Sequence, residues 1–173
     1  MNVLIHIGHP AHVHLFRNLI SILQKRNVNV IITTVDKEIT IDLLKLYNLK
    51  YIVIAKHKKR LAGKIINLFN MTKDIYSLCK QHEIDVLIGL ASAPITYVAK
   101  FLSKKSIVLD DTEHSDLEIL LYRFFASEIL TPFSFTKDLG SSQIFYQSYH
   151  ELAYLHPKYF TPKPEILELL GIN

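Results

Sequence analysis

Four of the nine histidines of this chain, His6, His9, His12 and His14, fall in its first 14 residues, around the run Gly8-His9-Pro10-Ala11-His12-Val13-His14. Imidazole changes protonation near neutral pH, so such a cluster suits proton transfer, hydroxyl recognition or metal ligation. His9, His12 and His14 stand where a helical pattern begins. Free backbone N–H groups and the helix dipole favour an anion there. Gly8 allows a tight turn and a close backbone approach. A phosphate or a sugar hydroxyl is the fitting ligand, with Gly8, His9 and His12 as its contacts and His9 also a catalytic candidate. His6 lies in an apolar run and reads as a hydrogen-bonded core residue. His14 reads either as helix packing or as support behind the site. A metal is not expected, because His12 and His14 are two apart on a helix and diverge, whereas zinc pairs there take i, i+4 spacing. No cofactor is expected.

A second group, Asp110-Asp111-Thr112-Glu113-His114, follows an apolar run. Adjacent carboxylates can raise one pKa and supply a general base, so Asp111, Glu113 and His114 join the catalytic candidates. Asp110 and Ser92 join the substrate contacts. Helix capping by Asp111 or Thr112, with Glu113 in the first turn, is the competing reading. The basic run Lys56-His57-Lys58-Lys59-Arg60 either faces phosphates or an anionic membrane surface, or is a solvated loop. There is no Gly-x-Ser-x-Gly, no Walker A and no glycine-rich dinucleotide turn.

These residues need elements to hold them. Apolar, β-branched runs predict strands over 3–7, 28–34, 51–55, 85–89, 106–109 and 128–130. Between them run helical patterns: Val13, Phe16, Ile20 and Leu23; Ile39, Leu43 and Leu46 after an Asp36 cap; Leu61 through Cys79 in steps of four and three; a helix opened by Ala91 to Pro94; and one carrying Leu117, Leu121 and Phe124. Alternation of this kind predicts an α/β fold, a three-layer Rossmann-like parallel sheet with helices on both faces. Ligands in such sheets bind beyond the carboxyl ends of the strands, where the polar groups above are concentrated. The expected organisation is a Rossmann-like domain over 1–139, then an irregular segment and linker or helix over 140–173.

With 173 residues, 49% hydrophobic and 21% charged, the chain suits one domain and not a disordered or low-complexity protein. The formal charge of +4 comes without a basic stripe interleaved with aromatics, so no nucleic-acid partner is expected. The single Cys79 cannot form an internal disulfide or a cysteine zinc cluster. Neither a secretory signal nor a run of about 20 apolar residues is present, which predicts a cytoplasmic protein.

The opening Val-Leu-Ile-His-Ile-Gly-His-Pro-Ala-His-Val-His, Leu109 to His114, the Thr131-Pro132 step and Glu151 to Pro157 resemble the DUF354 family. These are uncharacterised archaeal and bacterial proteins related to GT-B glycosyltransferases and UDP-N-acetylglucosamine 2-epimerases. The resemblance implies the N-terminal half of a GT-B fold, contributing the acceptor-side wall of a cleft and needing a second domain for activity. It implies a nucleotide-sugar or glycan ligand, and a separate C-terminal domain or a homo-oligomer as partner. A solitary non-catalytic module for a glycan, nucleotide or partner chain is the alternative. Weak membrane-surface association through Lys56, Lys58, Lys59 and Arg60 is a further expectation.

Overall fold

The first strand, β1 (Asn2–Ile7), sends its side chains into two separate cores. Leu4 joins one hydrophobic cluster, while Val3, Ile5 and Ile7 join another. Successive strand side chains point to opposite faces, so a strand buried on both sides needs a helical layer above and below. The computed structural model of the chain, which describes residues 1–56 and 61–172, supplies both layers.

The remaining elements are α1 (Pro10–Lys25), β2 (Asn29–Asp36), α2 (Thr40–Leu46), β3 (Ile52–Lys56), α3 (Leu61–Gln81), β4 (Val86–Leu90), α4 (Ala93–Phe101), β5 (Lys105–Leu109), α5 (Asp116–Tyr122), β6 (Glu128–Pro132), β7 (Gln143–Tyr146), α6 (Leu152–Leu155) and α7 (Glu165–Leu169). Seven parallel strands lie in the order β3-β2-β1-β4-β5-β6-β7. Val13, Phe16 and Ile20 of α1 and Leu44 of α2 form one core with Val3, Ile5 and Ile7. On the other face, Ile75 and Cys79 of α3, Ile95 and Val98 of α4, and Ile119 and Tyr122 of α5 pack with Leu4, Leu87 and Val108. The chain is therefore the three-layer α/β fold that the alternation predicts. Burial pushes the Cys79 thiol up to about 11, which keeps it protonated and unreactive.

Strand order reverses between β1 and β4, so the crevice lies beyond Gly8 and Ala91. Gly89 lets β4 and the start of α4 come together there. A Cβ at Gly89 would sit 3.0 Å from Ile95 Cδ1 and 3.1 Å from Ser92 Cβ. Gly89→Val is expected to lose about 1–3 kcal/mol through overpacking, read as a lower urea midpoint. An unchanged midpoint would mean that α4 can shift outward freely.

Three local expectations are corrected. Asp36 ends β2 and does not cap α2. The helix starts at Thr40, whose hydroxyl donates to Lys37 O at 2.6 Å, and Leu44 turns inward while Ile39 and Leu46 stay exposed. In α5 the buried pair is Ile119 and Tyr122; of the three expected positions Leu121 packs partly on the core, Leu117 is exposed, and Phe124 lies exposed beyond the helix end. The stretch expected to be irregular from 140 onward contains β7, which extends the sheet past 139. Its register is set by Gln143, whose amide donates to Thr131 Oγ1 at 3.0 Å and to Lys137 O at 3.2 Å while accepting from Leu139 N at 2.8 Å. Four residues on a sheet edge carry too little periodicity to be read locally.

Candidate functional site

Along the first loop, His9 is the N-cap of α1, and its Nδ1 accepts from Ala11 N at 3.2 Å. That bond assigns the ring proton to Nε2, which lies 3.8 Å from Glu38 Oε2. Glu38 holds a left-handed φ of 51°, an unfavourable backbone state for a residue with a side chain. The backbone donors expected to meet an anion here are already engaged. Pro10 has no N–H, Ala11 N is taken by His9 Nδ1, and His12 N donates to His9 O at 3.0 Å. Gly8 has no left-handed φ, and a Cβ there would make only ordinary contacts, 3.6 Å to His6 Nε2 and 3.9 Å to His12 Cε1. Side chains, not free amides, are what this loop offers a ligand.

Two of its histidines are held neutral. His6 is buried, with Nδ1 3.1 Å from Thr33 Oγ1, and desolvation lowers its pKa to about 4. His12 accepts from Gly8 N through Nδ1 at 3.2 Å. Burial, reinforced by His6, His9 and Lys37 and opposed by Asp111, lowers its pKa to about 3. At neutral pH His12 therefore presents an Nε2–H donor and no charge. His14 packs against Tyr47, whose hydroxyl lies 3.3 Å from its Nδ1, and burial lowers its pKa.

The acidic group divides by environment. Asp110 is fully buried at the end of β5; Oδ1 accepts from Thr112 N at 2.9 Å and Oδ2 accepts from the Tyr122 hydroxyl. Burial raises its pKa, partly offset by those bonds. It acts as a strut that ties α5 to the sheet. Asp111 is partly exposed, and its Oδ2 lies 2.9 Å from Nδ1 of His150, which is 7% exposed. The approach is within ion-pair reach but off the line of a good hydrogen bond, and His150 Nε2 has no hydrogen-bond partner among the described residues. The His150 contact is the main cause that holds Asp111 below the usual carboxylate range. Asp111 is accordingly an anion at neutral pH, suited to accept a proton or a hydroxyl hydrogen bond.

Glu113 points toward the loop after β6. Its two oxygens accept from Thr136 N and Thr136 Oγ1, both at 2.7 Å, and those bonds lower its pKa. His114 lies exposed on the same turn. Ser92, at the end of β4, is buried with its Oγ unpartnered, and the preceding Ala91 holds a left-handed φ of 42°. The structure therefore gathers His9, His12 and Asp111 at the carboxyl edge, with Ser92 across the switch point. It adds His150 and Tyr146, which periodicity could not single out in a stretch rich in aromatics and histidine. Among the described residues no group of three or more His, Cys, Asp or Glu could hold a metal ion. Lys56 ends β3, and Lys58, Lys59 and Arg60 lie outside the described residues. No helix among the described residues is long and apolar enough to cross a membrane. A larger groove of about 800 Å³, lined by Arg17, Asn48 and Lys50, opens at the opposite end of β2 and touches none of these candidates.

The fold recurs in solved structures. The UDP-GlcNAc 2-epimerase from Methanocaldococcus jannaschii is similar over 99% of this chain and 52% of its own, with TM-score 0.71 and 13% identity. The UDP-GlcNAc 2-epimerase from Neisseria meningitidis, solved bound to UDP-GlcNAc, is similar over the same shares with TM-score 0.69 and 13% identity. MurG from Acinetobacter baumannii is similar over 83% of this chain and 44% of its own, with TM-score 0.66 and 16% identity. By sequence, the uncharacterised protein MJ0665 of Methanocaldococcus jannaschii is 26% identical over 180 residues, covering 99% of this chain and 53% of that protein. The chain thus spans about half the length of these relatives. The model of one family, "Protein of unknown function (DUF354)", matches residues 1–173 from end to end, and the chain belongs to the DUF354 family.

Proposed function

We propose that the chain forms one wall, the acceptor side, of the cleft of a GT-B-like glycosyltransferase or nucleotide-sugar epimerase, and that a second domain completes it. One observation carries this reading: an ionised Asp111, a neutral His12 and a partly exposed His9 share the carboxyl edge of a sheet whose fold matches half of UDP-GlcNAc 2-epimerases. In this reading Asp111 accepts a proton or orients an acceptor hydroxyl, and His12 Nε2–H and the Ser92 hydroxyl hold the sugar or its acceptor. His9 donates a hydrogen bond from Nε2–H to a sugar or acceptor hydroxyl. Asp110 and Glu113 keep the two loops in register, and His114 stands at the rim.

The reading is tested by titrating UDP-GlcNAc into the chain, with and without a separately expressed second domain. Binding and turnover are expected in the combined sample. Asp111→Asn is expected to lower turnover by about 10²–10⁴-fold, the range of a general base. A combined sample with neither binding nor turnover would sink the proposal. Binding left unchanged by His9→Ala and Asp111→Asn together would remove these residues from the site.

A further inference from the structure

A cavity of about 510 Å³ lies beside the Asp111–His150 contact, at the carboxyl ends of β5, β6 and β7. Leu109 and Leu130 form its floor; Tyr146, Tyr149, Tyr159 and His150 form its walls. The volume is that of a small-molecule site. Two buried polar atoms in these walls, Tyr146 Oη and His150 Nε2, have no hydrogen-bond partner among the described residues. A buried polar group left in that state is destabilising by about 1–3 kcal/mol. The Tyr146 ring stacks on the His150 ring, with centroids 5.9 Å apart and planes at 17°. Burial pushes the Tyr146 phenol up to about 12, so its hydroxyl stays protonated at neutral pH.

We propose that this cavity binds a pyranose ring, with the tyrosine faces against its C–H surface and the Tyr146 hydroxyl and His150 imidazole bonded to its hydroxyls. A phenol and an imidazole both offer hydrogen bonds, and sugar hydroxyls can donate or accept to match them. The floor is apolar, and no arginine lines the cavity; its one lysine, Lys158, lies 5.6 Å from the Tyr159 ring. That chemistry favours a neutral hydroxylated ring over a phosphate. Asp111 does not line the cavity and is linked to it through His150. The choice of a sugar rests on the function proposed above; the cavity and its unpartnered groups do not.

The test is NMR titration of the 173-residue chain with N-acetylglucosamine, and separately with UDP and with cyclohexanol. Saturable shifts are expected at Tyr146, Tyr149, His150 and Ala153 with the sugar. Affinity should fall about tenfold in Tyr146→Phe, the loss of one hydrogen bond. Tyr149 is exposed, so Tyr149→Ala leaves the fold intact and should weaken binding as well. The proposal is overturned by an absence of saturation, by shifts confined to the first loop, by equal binding of cyclohexanol, or by unchanged affinity in both variants. Turnover of UDP-GlcNAc by the two-domain sample without sugar binding here would overturn this inference alone. Saturable binding here without turnover would leave it standing while the proposed function fails.

Discussion

Acidification from about pH 6.5 to about pH 4.5 is expected to remove about 2–3 kcal/mol of stability for each of His6 and His12. Both are folded in the neutral form, with pKa values lowered to about 4 and about 3, chiefly by burial. In the unfolded chain each returns to the ordinary 6.5 and takes up a proton that the folded state refuses. The unfolded state binds more protons across this window, so stability falls as pH falls. The carboxylates held low, Asp111, Glu113 and Asp116, lose their contribution only as pH drops through and below the ordinary carboxylate range. Above about pH 5 the slope is therefore set by the histidines held low, His6, His12 and His14, and offset in part by Asp110, whose raised pKa acts with the opposite sign. Urea midpoints across that window measure the slope. His6→Asn, which can still bond Thr33 through its amide, should reduce the slope by about one titrating group. A slope that His6→Asn leaves unchanged would show that His6 is not buried neutral.

The second large effect is expected at Asp110. Its side chain is fully buried and serves two partners, Thr112 N and the Tyr122 hydroxyl, and Tyr122 is itself fully buried. Asp110→Ala removes the acceptor from both, and each stranded donor is destabilising by about 1–3 kcal/mol. A total loss of about 2–5 kcal/mol is expected, seen as a lower thermal or urea midpoint. Asp110→Asn keeps an acceptor oxygen and should lose less. The two variants also differ in pH dependence. The Asp110 pKa is raised by burial, so the folded state binds the extra proton between the unfolded value of 3.8 and the raised one. Stability contributed by this group falls as pH rises through that window, opposite in sign to the histidines. Asp110→Asn should abolish that component. An alanine variant as stable as the parent chain would show that Asp110 is not a strut.

The two carboxylates of Asp110-Asp111 show where local reading stops. In sequence they are equivalent neighbours at a strand end, open to capping, to proton transfer or to a shared raised pKa. In the fold they face opposite surroundings. One enters the core between β5 and α5, and the other meets a histidine from the segment after β7. Their pKa values move in opposite directions because burial dominates one and a nearby imidazole the other. Helix boundaries show the same limit on a smaller scale: a start at Thr40, not beside Asp36, rotates which leucine of α2 faces the core.

From the amino-acid sequence alone came the parallel α/β architecture, the positions of its first six strands, the burial of His6, and the expectation that polar groups collect at the strand ends. All of these follow from hydrophobic periodicity and from residue types within a few positions of one another. Only the tertiary structure decided that the first-turn amides of α1 are occupied, that Gln143 holds a seventh strand, and that His150 approaches Asp111 beside a tyrosine-walled cavity. Each of those depends on groups brought together across the chain, and desolvation and hydrogen bonding act through space without regard to order in the sequence.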